Sequence, residues 1–233
     1  MATRAFIESI TLEQREDDPY PIYARLRAEA PVAWIPAADI WFITGFQDCA
    51  DVGSGKFGFA AAAGHPTIDR VFGTPNVLTA PSPTHEELRE GIDPRLKPDS
   101  VSALVDDIVR PVARRRLDAL RGRTARELME DYFEPVSVEA LRRVMGLDEL
   151  VDADTLRRWF AGLNLGIANF GLDANSFAVA DAVSREIERT IEPLVAELGA
   201  HPDDSMISHM LWTGVQDGKP RSTAAIMPSL TVI

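Results

Sequence analysis

From Thr84 to Ile233 the chain carries a succession of helix-type segments and no strand pattern, and this run limits the fold more than any other feature of the sequence. The pattern and its punctuation predict helices at about Thr84–Ile92, Pro98–Leu120, Ala125–Met145, Asp152–Asn169, Asn175–Leu198, Pro202–Leu211 and from Thr223 to the end. Thr84, Asp152 and Asp203-Asp204-Ser205 stand where N-terminal caps or first-turn acids belong. Pro111 lacks an N–H and crowds the turn before it, so a kink is expected in the second of these helices.

Upstream the character is mixed. Residues Ala2–Asp18 read as an irregular leader, leaving 18–233 as the domain proper. DPYPIYARLRAEAP then reads as a short helix with an apolar stripe at Ile22, Leu26 and Ala30. VAWIPAADIWFITGF places β-branched and aromatic residues on either side of Pro36-Ala-Ala-Asp39, the pattern of a hairpin. A short helix over Phe46–Val52 precedes a Gly- and Pro-interrupted stretch, Gly53–Pro83, which reads as one long loop. The expected class is mainly α with a small β-hairpin. At 233 residues, one large domain fits better than two.

Composition narrows the function. There are 24 Lys and Arg against 36 Asp and Glu, a formal charge of −12, which opposes a sequence-independent grip on nucleic acid or on an anionic membrane. No apolar run approaches the ~18 residues of a spanning helix. The single cysteine, Cys49, excludes an intrachain disulfide and any multi-thiolate metal site, and points to a reducing compartment, the cytoplasm.

Two motifs are decoys. Gly53-Ser-Gly55-Lys-Phe-Gly58 spells GxGxxG, but the fingerprint works only between a strand and a helix that receives the pyrophosphate, and neither flanks it here. Gly218-Lys219 is followed by Pro220 where a phosphate loop needs Ser or Thr. The histidines His65, His85, His201 and His209 have no ligand spacing; at about 1.5 Å per residue, His201 and His209 would lie ~12 Å apart on one helix. His85 and Arg89 are more informative. Four apart on one helical face, they could grip an anion together, although spacing alone favours a solvated face with Arg89 paired to Glu86 or Glu90. The arginine series from Arg110 to Arg123 likewise reads as an exposed face, or less often as a dock for an acidic partner.

The order of DPYPIYARLRAEAPVAWI, WFITGF, a loop, HEELR and a long helical stretch resembles the N-terminal half of a bacterial cytochrome P-450, a heme-thiolate monooxygenase, from about Asp18 to the last residue. VDDIVRPVARRRLDAL, EPVSVEALRRVMGL, LRRWFAGLNLGIANF and HPDDSMISHMLWTG look like its aromatic O-demethylase branch, which acts on guaiacol-type ethers. The resemblance implies heme as cofactor, a small aromatic substrate, and an electron-transfer reductase or ferredoxin as partner. It places His85 and Arg89 on the heme propionates, and Phe72, with Val77 and Leu78 beside it, over the substrate ring. Ile167 stands where the branch has a second pocket aromatic, a departure from the pattern. The central helix would begin near Thr223. The family's axial cysteine belongs to a loop of the C-terminal half; Cys49 has none of its surroundings and is not the heme ligand, so this chain carries no catalytic or metal-binding residue of its own. The largely apolar run Ala224–Ile233 stops without a cap, a charge or a turn, which reads as a chain interrupted inside a core element and inactive by itself; an apolar terminus tucked into the core is the alternative. A heme-free α-helical binding module on the same scaffold, or a non-functional truncated product, is the competing functional reading.

Overall fold

The computed structural model describes residues 2–59, 64–124, 127–215 and 217–233 and divides the chain into two compact units, Met1–Ala60 and Ala61–Ile233.

The first unit opens with α1 (Ala2–Ser9) and α2 (Leu12–Asp17). The irregular leader expected here is therefore corrected. Thr11 accepts a hydrogen bond from the Gln14 N–H, and the Gln14 side chain accepts one from the Thr11 N–H, so reciprocal capping sustains a polar helix of six residues. In α3 (Pro19–Glu29) the Asp18 carboxylate caps the Tyr20 N–H, and Pro19 fits the first turn, where no N–H is needed. β1 (Val32–Ile35) and β2 (Ile40–Ile43) pair antiparallel, with Ala33 opposite Phe42 and Trp34 opposite Trp41. Alternation along β1 buries Ala33 and Ile35 with Leu26 and Ile10, while Val32 and Trp34 face outward. α4 (Phe46–Gly53) follows. The glycine-rich sequence after it thus trails a helix rather than a strand, and the dinucleotide reading fails on structural grounds too.

Helices are the only regular secondary structure among the described residues of the second unit. α5 (Ile68–Phe72) interrupts the expected long loop, and α6 (Thr84–Glu90) is followed by a 3-10 turn, Asp93–Leu96. α7 (Pro98–Leu104) runs through a π turn, Val105–Val109, into α8 (Arg110–Ala119). The expected irregularity at Pro111 takes that form: the Arg110 N–H reaches back to the Val105 carbonyl, a wide turn just ahead of the ring. The same device recurs at Met129–Phe133, ahead of Pro135 in α9 (Glu134–Met145). The start expected at Ala125 lies outside the described residues.

Gly146 ends α9 in the left-handed conformation at φ 81, and a Cβ there would lie 2.6 Å from the Ser205 Cβ, so both backbone and packing call for glycine. α10 (Ala153–Ile167) and α11 (Ala174–Ala200) are capped by Asp152 and Asp173, which accept from the Thr155 and Ser176 N–H groups. α12 (Met206–Trp212) is capped by Ser205, and α13 (Thr223–Leu230) by Ser222. The main core collects Leu156, Trp159 and Leu163 of α10, Ile187, Ile191 and Val195 of α11, and Ile207 and Leu211 of α12. Val232 and Ile233 pack against it. No helix among the described residues is long and apolar enough to cross a membrane.

Candidate functional site

α6 positions the first pair. Pro83, not Thr84, occupies its N-cap, and no side chain caps the helix, which corrects the expectation for Thr84. Ser82 instead donates to the Glu86 carboxylate at 2.9 Å. That carboxyl is held below its usual range by the backbone N–H at the helix start and then by Ser82. His85 is half-buried and Arg89 exposed, on one face as the spacing requires. Between them Leu88 packs against the main core and anchors the helix.

Arg89 pairs neither with Glu86 nor with Glu90. Its Nε lies 2.7 Å from Oδ1 of Asp93, one turn further on. That oxygen is shielded from solvent, and the guanidinium sits within ion-pair range but off the hydrogen-bond line, so Oδ1 has no well-aligned donor. His85, Glu86, Arg89, Asp93, Lys97 and Thr213 border an open cleft of 740 Å³.

The donor set suits a carboxylate. With only Nε close to Asp93, the two terminal nitrogens of Arg89 keep their N–H groups for a bidentate contact, and His85 adds a ring nitrogen on the same face. His85 and Arg89, the pair expected at heme propionates, thus share one end of the cleft. Cys49 is exposed in the first unit and donates its S–H toward the Ile43 carbonyl at 3.2 Å, and among the described residues there is no group of three or more His, Cys, Asp or Glu that could hold a metal. His209 is half-buried, its pKa lowered by burial and then by Arg95.

Val77 belongs to the main core, and Phe72 and Ile167 each pack against it. Val77 is 8% exposed, and Phe72 and Ile167 pack partly buried against the same cluster, whereas Leu78 is 48% exposed. A Cβ on Gly166 would lie 2.6 Å from both Val71 Cγ2 and Ala180 Cβ, so this glycine lets α5 approach the α10–α11 pair. The Ser184 hydroxyl donates to the Val71 carbonyl at 3.2 Å, and Arg70 pairs with Asp181 at 2.6 Å. None of the four residues borders the cleft at His85 and Arg89, nor the partly open apolar cavity of about 60 Å³ lined by residues that include Leu156, Trp159, Leu163, Ile187, Ile191 and Ile233. Sequence reasoning missed Asp69 and Asn76, which hold the segment bearing Phe72; a five-residue helix shows no period to read.

No protein-family model matches the chain. It is 25% identical over 177 residues to Cytochrome P450 109 of Bacillus spizizenii, covering 76% of this chain and 40% of that protein. It is 23% identical over 222 residues to Cytochrome P450 130 of Mycobacterium tuberculosis, covering 90% and 53%. Among solved structures, P450BioI in complex with an acyl carrier protein bearing hexadec-9Z-enoic acid superposes with a TM-score of 0.80 at 19% identity, over 94% of this chain and 57% of that one. CalO2 gives 0.75 at 21%, over 95% and 56%. The chain is thus similar in sequence to cytochromes P450 and has their fold, and it spans about half the length of the relatives it matches.

Proposed function

We propose that this chain is the heme-edge and substrate-facing part of a heme-thiolate monooxygenase. The observation that carries the reading is the His85–Arg89 pair on one face of α6, with terminal guanidinium nitrogens left for a carboxylate. The similarity to cytochromes P450 supports it. Heme, when bound, supplies oxygen activation, with electrons from a reductase or ferredoxin; the protein's part is to bind, orient and exclude water. His85 and Arg89 fix the propionate edge. Phe72 and Val77 supply apolar surface on which an aromatic ring can pack, and Ile167 lends an aliphatic wall where the demethylase branch has an aromatic one. Leu78, being exposed, belongs to the rim.

A small aromatic ether, O-demethylated, is the substrate we favour, supported by the apolar character of Phe72, Val77 and Ile167. We place the reaction in the cytoplasm, in line with an exposed, unpaired Cys49. A heme-free binding module is the second reading. It is favoured by one observation, that the chain's single cysteine, Cys49, is exposed with its S–H donated to the Ile43 carbonyl.

Hemin titrated into the 233-residue chain separates the two readings. Hemin should bind about tenfold more tightly than its dimethyl ester, which lacks the anionic carboxylates, because a charge-assisted contact contributes roughly 1.5–3 kcal/mol. Arg89→Ala should remove most of that preference and His85→Ala a smaller part, leaving affinity for the ester unchanged. Equal binding of hemin by the parent and by both variants would refute the assignment.

A further inference from the structure

One carboxylate closes the segment between Gly64 and Thr79 on itself. Asp69 Oδ2 accepts from the Gly64 N–H at 2.5 Å and from the His65 N–H at 3.0 Å; Oδ1 accepts from Asn76 Nδ2 at 3.0 Å and from the Thr79 hydroxyl. Asn76, with no exposed surface, continues the chain of bonds. Its Nδ2 also donates to the Gly73 carbonyl at 2.8 Å, and its Oδ1 accepts from the Leu78 and Thr79 N–H groups at 3.0 and 3.1 Å. Every donor and acceptor of that buried amide is thereby used. Burial pushes the Asp69 carboxyl up, but the bonds from Thr79, Gly64, Asn76 and His65 together outweigh it and hold the group below its usual range.

The segment so closed carries Phe72 and Val77. Its other side is fixed by the Ser184–Val71 bond and the close approach at Gly166, which sits beside Ile167 on α10. With the far side fixed, the geometry of the near side decides where the Phe72 ring lies.

We propose that Asp69 is a positioning residue for the substrate pocket, setting Phe72 and Val77 against α10 through its hydrogen bonds to both ends of the Gly64–Thr79 segment. This rests on the reading of Phe72 and Val77 as pocket residues. The carboxylate touches no substrate, and its influence passes through Asn76 and Thr79.

The test uses the full chain and 2-methoxyphenol as probe, with Asp69→Asn, Thr79→Val, Thr79→Ser and, as a control destabilised elsewhere, Ile191→Val. Asp69→Asn and Thr79→Val should speed amide exchange at Leu78 and Thr79 by about tenfold or more, shift the Phe72 ring resonances and weaken probe binding several-fold. Thr79→Ser, which keeps the hydroxyl, should restore all three readouts; Ile191→Val should lower thermal stability and leave them unchanged. Parent-like exchange and affinity in Asp69→Asn, or the same affinity loss in Ile191→Val, overturns the proposal. If the parent does not bind the probe while Asp69→Asn still frees the amides and moves the Phe72 resonances, positioning by Asp69 stands and the aromatic-ether reading falls.

Discussion

The α10–α11 pair and the Gly64–Thr79 segment lie side by side in the second unit, and they are held by opposite means. The helices meet through Leu156, Trp159, Leu163, Ile187 and Ile191, with Gly162 and Gly166 allowing the backbones to close; a Cβ on Gly162 would lie 2.5 Å from Val183 Cγ2. The segment contributes little apolar surface besides Val71, Phe72 and Val77, and is held by the polar atoms of Asp69 and Asn76. Packing spreads the holding over many side chains, so its failure is global. A polar node concentrates it in two, so its failure is local.

Ile191→Ala offers the largest test of that difference. At 2% exposure, its truncation should cost about 2–5 kcal/mol and lower the melting temperature of the whole second unit. Asn76→Ala, though equally buried, should expose the amides of Leu78 and Thr79 at a cost of roughly 1–3 kcal/mol and leave exchange in α11 near the parent's. Hydrogen exchange resolved by segment reads both, and equal spread of the two effects would break the comparison.

Gly166→Ala comes next. Helix propensity favours alanine by about 1 kcal/mol, but overpacking typically costs 1–3, and the atoms in the way are the Cβ of Ala180 and a branch of Val71 rather than a flexible tip. Net destabilisation of up to about 2 kcal/mol by chemical denaturation is expected, and a stabilised variant would show that both α5 and α11 are free to withdraw.

The smallest effect belongs to Glu186 of α11, which accepts two bonds from Arg158 and one from Trp159 of α10. Arg158 first, and Trp159 second, lower its pKa from 4.5 to about 2. A depressed carboxylate stabilises the fold above its unfolded value and loses that contribution as pH falls, so the stability difference between parent and Glu186→Gln should be constant above pH 4.5 and shrink toward pH 2. The group is partly exposed, so the plateau should be about 1 kcal/mol or less. A difference that stays flat through this window would mean that the pair does not join the helices.

The same contrast explains what could be read from the sequence. α10 and α11 are long enough for a 3.6-residue period, and Asp152 marks a start that the structure keeps. α5 is five residues long, among glycines and prolines, and its stability comes from Asp69 meeting residues seven and ten positions on, which no local pattern announces. α2 was hidden by its polarity, although Thr11 and Gln14 spell a capping box, and α1 by its brevity. At the candidate site, the shared face of His85 and Arg89 was legible from their spacing. The partner of Arg89 was overlooked in favour of Glu86 and Glu90, although Asp93 also stands four positions on, just past the end of α6.

The two π turns also bear on how the chain tolerates gain or loss of a residue. Each holds one residue more per turn than an α-helix, so deleting one position within Val105–Val109 would restore an ordinary helical count. It would also bring Pro111 into a regular turn, its ring against the carbonyl four residues before it, at a cost of about 3 kcal/mol. The proline therefore guards the length of the segment: a deletion there becomes acceptable only together with Pro111→Ala, and the same coupling ties Met129–Phe133 to Pro135.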